Sequence, residues 1–379
     1  MSIAGKRILY VTTISRTINA FLQPHIKFLV DQGCVVDIAT NVTDEIDDEL
    51  LAVGVRIFSV RFQRTPVSLM NLIACRQMKL IQKRERYDIV HVHTPVASFV
   101  TRYALRNERN IKILYTCHGF YFYRGGPCIS WILFYPAEKI AARWTDGLIT
   151  MNAEDYAVAR HFKLRNDGKV FRINGVGVDK KKYMLKSFDK NKYRRSLGLD
   201  DDDFVILVLA EINKRKNHIQ LIRAMRLLKD KYPGIKSVFA GTGPLEASVR
   251  KKIRKYGLER QVILLGWRSD VKELIHCSDV TGLFSSREGL VQCVLEAMVC
   301  RKYVIATGVR GVRELFEAGA NGIMLEVDDV EGTAKAIEQL YVNRQYEVIN
   351  EENDQKSLDR FLIENVLMQS SCIYEELYQ

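Results

Sequence analysis

Short apolar runs bounded by glycine or polar residues recur in two series along this chain, each alternating with amphipathic stretches of helical period. That alternation leaves few architectures open. The first series starts with Arg7-Ile8-Leu9-Tyr10-Val11-Thr12, crosses a polar loop from Thr13 to Asn19 and an amphipathic helix from Phe21 to Gln32, and returns in Val35-Val36-Asp37-Ile38-Ala39. Strand, helix, strand in that order is a βαβ unit, which builds parallel sheet. Runs at 88–93, 112–116 and 147–150 continue it. A second series runs through Phe204–Leu209, Ile235–Ala240, Val262–Leu265, Val280–Phe284 and Tyr303–Ala306. Because 379 residues exceed one ordinary core, the expectation is an α/β chain of two doubly wound domains facing each other across a cleft. The boundaries read as residues 1–180 for the first domain, 181–355 for the second, and 356–379 for a closing helix that crosses back onto the first. The charged stretch Lys180 to Asp203, with its run Asp200-Asp201-Asp202-Asp203, reads as an exposed connection.

A chain with 47% hydrophobic and 27% charged residues is packed rather than disordered. No apolar run approaches the roughly 18 to 20 residues of a membrane span, and Met1 to Arg7 lead into a strand rather than a signal-peptide core, so a cytoplasmic protein is expected. Eight cysteines are scattered without C-x-x-C or Cys/His pairing, which reads as buried free thiols and no metal cluster.

The net charge of +12 is uneven: lysine and arginine against aspartate and glutamate give 25 − 16 = +9 for residues 1–180 and 32 − 29 = +3 for the rest. The first half is therefore expected to meet something anionic. Nucleic acid is disfavoured, since no recognition module is present. An anionic membrane surface fits better: Phe120-Tyr121-Phe122-Tyr123 and Trp131-Ile132-Leu133-Phe134-Tyr135 stand near Arg124, Lys139 and Arg143, the ingredients of an interfacial helix. Burial of the same aromatics in a core is the competing reading.

The segment with chemical content is Ser285-Ser286-Arg287-Glu288-Gly289-Leu290-Val291-Gln292-Cys293-Val294-Leu295-Glu296. It follows an apolar strand, so Glu288 falls at the carboxyl end of a parallel strand, where open α/β sheets bind ligands. The backbone amides of Gly289, Leu290 and Val291 are expected at a helix start, which suits a phosphate. Glu296, two turns on, is placed to accept hydrogen bonds from vicinal hydroxyls. In that order the three elements form a cradle for a nucleotide sugar. An isolated pair of glutamates at this spacing, by contrast, is most often an exposed loop residue and a solvated helix residue.

The surrounding motifs add weight. Glu288 and Glu296 resemble the E-x7-E signature of family 4 retaining glycosyltransferases, in particular the bacterial exopolysaccharide and capsule assembly branch. Val304-Ile305-Ala306-Thr307 through Gly311, Glu314 and Asn321-Gly322 resembles the sequel of that signature, and Ala240-Gly241-Thr242-Gly243-Pro244 its A-G-x-G-P strand end. Asp88 to Pro95, Thr116-Cys117-His118-Gly119-Phe120 and Asn174 to Asp179 are similar to its first-domain and inter-domain segments. The likeness spans nearly the whole chain. It implies a GT-B fold of two Rossmann-like domains and a set of roles: Glu288 on the donor sugar's hydroxyls, Gly289, Leu290 and Val291 on the distal phosphate, Glu296 on the ribose, Lys216 on the diphosphate, and Gly241 and Gly243 beside the donor. His118 is implied to touch the sugar or the acceptor, whereas His93 is balanced between that site and packing. His25, His161, His218 and His276 carry no signal.

The chain departs from the family where a Gly-Arg pair is usual and Ala210-Glu211 stands instead. Arg215 or Lys214 is then the substitute cation, or Glu211 orders Lys216. The implied reaction is transfer of a hexosyl or N-acetylhexosaminyl group with retention by front-side attack, from a UDP-linked sugar as co-substrate, to a polyprenyl-diphosphate-linked saccharide on the inner face of the plasma membrane. No separate cofactor is implied, and no Asp-x-Asp in the motifs calls for a metal. A same-fold nucleotide-sugar 2-epimerase and a catalytically silent membrane-surface scaffold are the alternatives.

Overall fold

A computed structural model describes residues 3–289, 291–344, 346 and 358–378. The chain divides into two compact units, Met1–Gly177 with Ile363–Gln379, and Val178–Leu362. The expected 355/356 boundary lies outside the described residues. The second unit starts and ends at one place, since Val178 bridges Leu362.

In the first unit the strands are β1 (Arg7–Ile14), β2 (Val35–Asn41), β3 (Arg56–Ser59), β4 (Ile89–His93), β5 (Lys112–Cys117), β6 (Gly147–Thr150) and β7 (Lys169–Arg172). They form one sheet in the order β3-β2-β1-β4-β5-β6-β7, every neighbouring pair parallel. The winding direction reverses between β1 and β4, which pair from Ile8↔Ile89 to Val11↔Val92. Ile8, Leu9, Tyr10, Val11, Ile89, Val90 and Val92 are all buried, because helices cover both faces of a parallel sheet and its central strands become continuous apolar runs. The expected helix from Phe21 to Gln32 is instead a π-helical turn at Ile18–Leu22 followed by a helix at Gln23–Asp31. Pro24 lacks an N–H and sits in the first turn of the second helix, where that donor would have no intrahelical partner. The closing helix, Ile363–Glu376, belongs to this unit and lays the Tyr374 hydroxyl 2.9 Å from the Tyr10 hydroxyl.

The second unit carries β8 (Phe204–Leu209), β9 (Ile235–Ala240), β10 (Val262–Gly266), β11 (Val280–Leu283), β12 (Tyr303–Thr307) and β13 (Gly322–Leu325). Their order is β10-β9-β8-β11-β12-β13, again all parallel, with the reversal between β8 and β11. The stretch expected to be a bare connection holds two short helices, Lys180–Tyr183 and Lys190–Ser196. It is packed down because Arg194, buried, donates to the carbonyls of Cys277, Asp201 and Asp203 and to the Asp279 carboxylate. Of the four aspartates, Asp203 is buried and Asp200 to Asp202 are exposed. All eight cysteines are free thiols, but only Cys34, Cys117 and Cys277 are fully buried; Cys128 and Cys372 are exposed.

Candidate functional site

In the second unit the loops that leave β8 and β11 sit side by side at the carboxyl edge of the sheet, where the strand order reverses. That edge is where an open α/β sheet leaves a crevice for a ligand. Two glycines let a third loop close on them. A Cβ on Gly241 would lie 2.1 Å from the Ala210 carbonyl oxygen, and one on Gly243 2.4 Å from that of Ile212. The Ile212 amide donates to the Thr242 carbonyl at 3.0 Å, and the Leu245 amide to the Ile212 carbonyl at 3.0 Å. Gly241 and Gly243 thus shape the segment that presents Arg215 and Lys216.

Glu288 is brought to the same place. The Ser286 amide donates to the Arg215 carbonyl at 2.8 Å, which registers the β11 loop on the β8 loop. Lys216 Nζ then lies 2.7 Å from Glu288 Oε1, and Arg215 Nη1 2.7 Å from Oε2. The Arg310 guanidinium donates to the Glu288 carbonyl at 2.9 Å. Glu288 is only 7% exposed. Burial alone would raise its carboxyl, but Lys216 and Arg215 outweigh that and hold it below the usual range. Arg215 is therefore the second cation beside Lys216. Glu211 does not reach the Lys216 ammonium: it accepts from Asn213 Nδ2 at 3.0 Å, and Asn213 Oδ1 accepts the Lys216 backbone N–H at 3.0 Å. Its hold on Lys216 runs through the main chain.

The helix after Glu288 begins later than expected. It spans Gln292–Val299, with Val291 as an extended residue at its cap. Its positive end is made by the amides of Val291, Gln292 and Cys293, so Gly289 lies ahead of it. Val291 itself is a β-branched residue buried in the core at 3% exposure and held extended, so the helix starts after it. Leu290 lies outside the described residues. Glu296 falls inside the helix and accepts the Tyr183 hydroxyl at 2.6 Å. Burial pushes its carboxyl up, with the Tyr183 hydrogen bond opposing. Nothing in the spacing of the sequence pointed to Tyr183, which arrives from the helix Lys180–Tyr183; Arg310 stands one residue before Gly311 of the motif and was legible in principle.

In the first unit, β4 ends on His93 and β5 runs into His118. His93 Nδ1 and His118 Nε2 lie 3.1 Å apart, so one of the two rings donates to the other. His91 lies beside His93 with ring centroids 4.2 Å apart and the planes tilted by 36°, and bonds the Tyr374 hydroxyl through Nδ1 at 2.5 Å and the Thr116 hydroxyl through Nε2 at 2.7 Å. His25, which carries no signal in the sequence, is buried with Nε2 2.8 Å from the Val176 carbonyl. Burial, then its histidine neighbours, drives His91 and His93 well below the ordinary value, and burial, then His25, lowers His118 to about 4. The cluster is neutral at pH 7. A neutral imidazole bonds hydroxyl groups and carries no charge for a phosphate, which separates the chemistry of this site from that of Lys216 and Arg215.

Among the described residues no group of three or more His, Cys, Asp or Glu side chains is arranged to hold a metal. Nor is any helix among them long and apolar enough to cross a membrane.

Two doubly wound parallel sheets, one with paired cations and a buried glutamate at its switch point, define the GT-B class of fold. Comparisons with known proteins agree. The Glycosyltransferase Family 4 description matches residues 23–176, and Glycosyl transferases group 1 matches residues 189–357. A Bacillus subtilis (strain 168) protein named "Putative glycosyltransferase EpsD" is 38% identical over 341 residues, 89% of this chain and 87% of that one. The UDP-Gal:alpha-D-GlcNAc-diphosphoundecaprenol alpha-1,3-galactosyltransferase of Escherichia coli is 25% identical over 304 residues, 78% of this chain and 76% of its own. Among solved structures, Anabaena Alr3699/HepE in complex with UDP and glucose superimposes with a TM-score of 0.80 at 21% identity, covering 98% of this chain and 99% of that one. The chain belongs to the group 1, family 4 glycosyltransferases, and the protein is a glycosyltransferase.

Proposed function

We propose that this enzyme transfers a hexosyl or N-acetylhexosaminyl group from a UDP-linked sugar, with retention, to a polyprenyl-diphosphate-linked saccharide during exopolysaccharide or capsule assembly. The observation that carries the reading is the Glu288 carboxylate held between Lys216 and Arg215 at the switch point of the second sheet. Cations fixed there can neutralise the charge that grows on a departing diphosphate without reorganising during the reaction. Glu288, kept ionised by them, is an acceptor for sugar hydroxyls, and Glu296, oriented by Tyr183, is one for ribose hydroxyls. The positive end of the helix at Gln292 is suited to the distal phosphate.

His118, neutral and held by His93, is assigned to hydroxyls of the sugar or acceptor. With no carboxylate assigned beneath the anomeric carbon, retention is assigned to front-side attack, in which the leaving phosphate oxygen helps take the acceptor proton. The diphosphate is neutralised by Lys216 and Arg215, so the reaction is proposed to run without a metal or other cofactor. The UDP complexes of HepE and the lipid-linked acceptor in the galactosyltransferase's name support the choice of donor and acceptor. The exposed apolar residues Ile129, Ile132, Leu133 and Ile140, with Lys139 and Arg143 on or next to the same helix, support a peripheral place on an anionic inner membrane face.

The test is incubation with a panel of radiolabelled nucleotide sugars and polyprenyl-diphosphate saccharides, with and without chelator. Label appearing in lipid-linked product with retained configuration, undiminished by chelator, supports the reading. Epimerised donor, or no turnover with any donor, overturns it.

A further inference from the structure

We infer that an apolar cavity in the first unit receives the isoprenoid chain of the acceptor, an inference that rests on the lipid-linked acceptor proposed above. The cavity, of 340 Å³, lies between the helices Pro95–Ala104 and Cys128–Ala142 and is walled by Val96, Phe99, Tyr115, Phe120, Leu133 and Phe134 among others. It is within the usual range for small-molecule pockets, about 300 to 1,000 Å³. Its one charged wall residue is Glu138, and that charge is already committed. Arg102 Nη2 donates to Glu138 Oε2 at 2.9 Å, the Tyr115 hydroxyl donates to Oε1 at 3.3 Å, and the buried guanidinium lies 4.1 Å over the Tyr115 ring. An entering molecule meets hydrocarbon and aromatic faces, with no polar group in need of a partner. A site so built takes a hydrocarbon chain and rejects a polar one.

Three observations select the chain. Leu133, 57% exposed, lines the cavity and also belongs to the outward strip of Ile129, Ile132 and Ile140, so the mouth opens onto an apolar face. Gly119 lines the cavity and directly follows His118, so the cavity starts next to the imidazole assigned to the sugar end. Lys139 and Arg143 stand exposed on or next to the helix that forms one wall, a charge complement for a diphosphate. An isoprenoid chain ending in a diphosphate-linked saccharide satisfies all three, whereas a bilayer acyl chain has no reason to begin at His118.

The experiment uses the full-length protein and a polyprenyl diphosphate carrying a photoreactive group in its first isoprene units, with a photoreactive phosphatidylglycerol in parallel. Labelled peptides are mapped in wild type, Ala137→Trp and Leu133→Glu, and UDP binding and sugar transfer are measured on the same samples. The expected result is labelling between Pro95 and Glu138, competed by unlabelled acceptor and reduced about tenfold or more in the variants, with UDP affinity unchanged. If Ala137→Trp does not fold, Leu133→Glu, at the exposed rim, carries the comparison. Wild-type transfer with labelling elsewhere, labelling insensitive to both variants, or cavity labelling by the phosphatidylglycerol alone each overturns the inference and leaves the proposed function standing. Absence of transfer with every donor and lipid-linked acceptor overturns both.

Discussion

The Lys216 ammonium sits 2.7 Å from Glu288 Oε1, joining loops that leave two adjacent strands, and the Arg215 guanidinium holds the other oxygen. If the cations stabilise the leaving diphosphate and the carboxylate holds the sugar, Lys216→Ala and Glu288→Ala each lower kcat on the order of a hundredfold. Steady-state transfer assays check this, and wild-type rates in both variants would remove the assignment. The two should differ in UDP binding by calorimetry. Lys216→Ala weakens it, while Glu288→Ala frees both cations for the diphosphate and does not.

Tyr183→Phe removes the hydroxyl that donates to Glu296 at 2.6 Å and leaves the carboxylate unaligned. A hydrogen bond to a charged partner contributes about 1.5 to 3 kcal/mol. UDP affinity is expected to fall by roughly tenfold, with kcat less affected because the ribose does not react. An unchanged dissociation constant would show that Glu296 does not read the ribose.

A methyl group at Gly243 meets the Ile212 carbonyl oxygen at 2.4 Å and the Ile212 carbonyl carbon and amide nitrogen at 2.7 Å, so backbone has to give way. Gly243→Ala should lose about 1 to 3 kcal/mol of stability and, because the displaced loop leads to Arg215, weaken UDP binding as well. Denaturant unfolding and calorimetry on one preparation test the coupling. Loss of stability with intact UDP affinity would confine the glycine to packing.

His25, His91, His93 and His118 are all lowered by burial, His118 to about 4. Unfolded, the same rings take protons near pH 6.5. The unfolded chain therefore binds more protons than the folded one between about pH 6.5 and 4, so stability falls as the pH drops through that window. Glu288, held below its usual range, adds its own loss only at lower pH, as the carboxylate is protonated. Thermal melts from pH 7.5 to 5 should decline, and less steeply in His25→Gln; parallel slopes would exclude His25 from the titrating set.

Binding to anionic vesicles should drop severalfold between about 0.1 M and 1 M salt, as the screening length shrinks from about 10 Å to 3 Å. Ile132→Glu, at a residue 66% exposed, should weaken it further. Co-sedimentation measures both, and salt-insensitive binding would leave only the apolar contact.

The sequence made the central strands plain and hid the margins. Arg56–Ser59, Lys169–Arg172 and Gly322–Leu325 were all missed as strands, and each is the outermost strand of its sheet. Each is only four residues long, and Arg56, Lys169, Arg172 and Gly322 stand at their ends, so little is left of the apolar run that betrays a central strand. Glu288, Lys216 and His118 were legible because a strand end followed by a motif implies a place on the sheet. Their partners were not: the contacts of Arg215 with Glu288 and of Tyr183 with Glu296 depend on how distant loops register. The route from Glu211 to Lys216 was hidden for the same reason, since it passes through Asn213.

Tyr374, near the end of the chain, is built into the heart of the first sheet, bonded to Tyr10 and His91. During synthesis the earlier domain thus cannot complete its interior until the helix Ile363–Glu376, made after the whole of the second unit, has left the ribosome, whereas the later, continuous lobe is free to close as soon as it emerges. The usual order of vectorial folding, first made first folded, is inverted: the earlier lobe waits for a helix that is made after the later one.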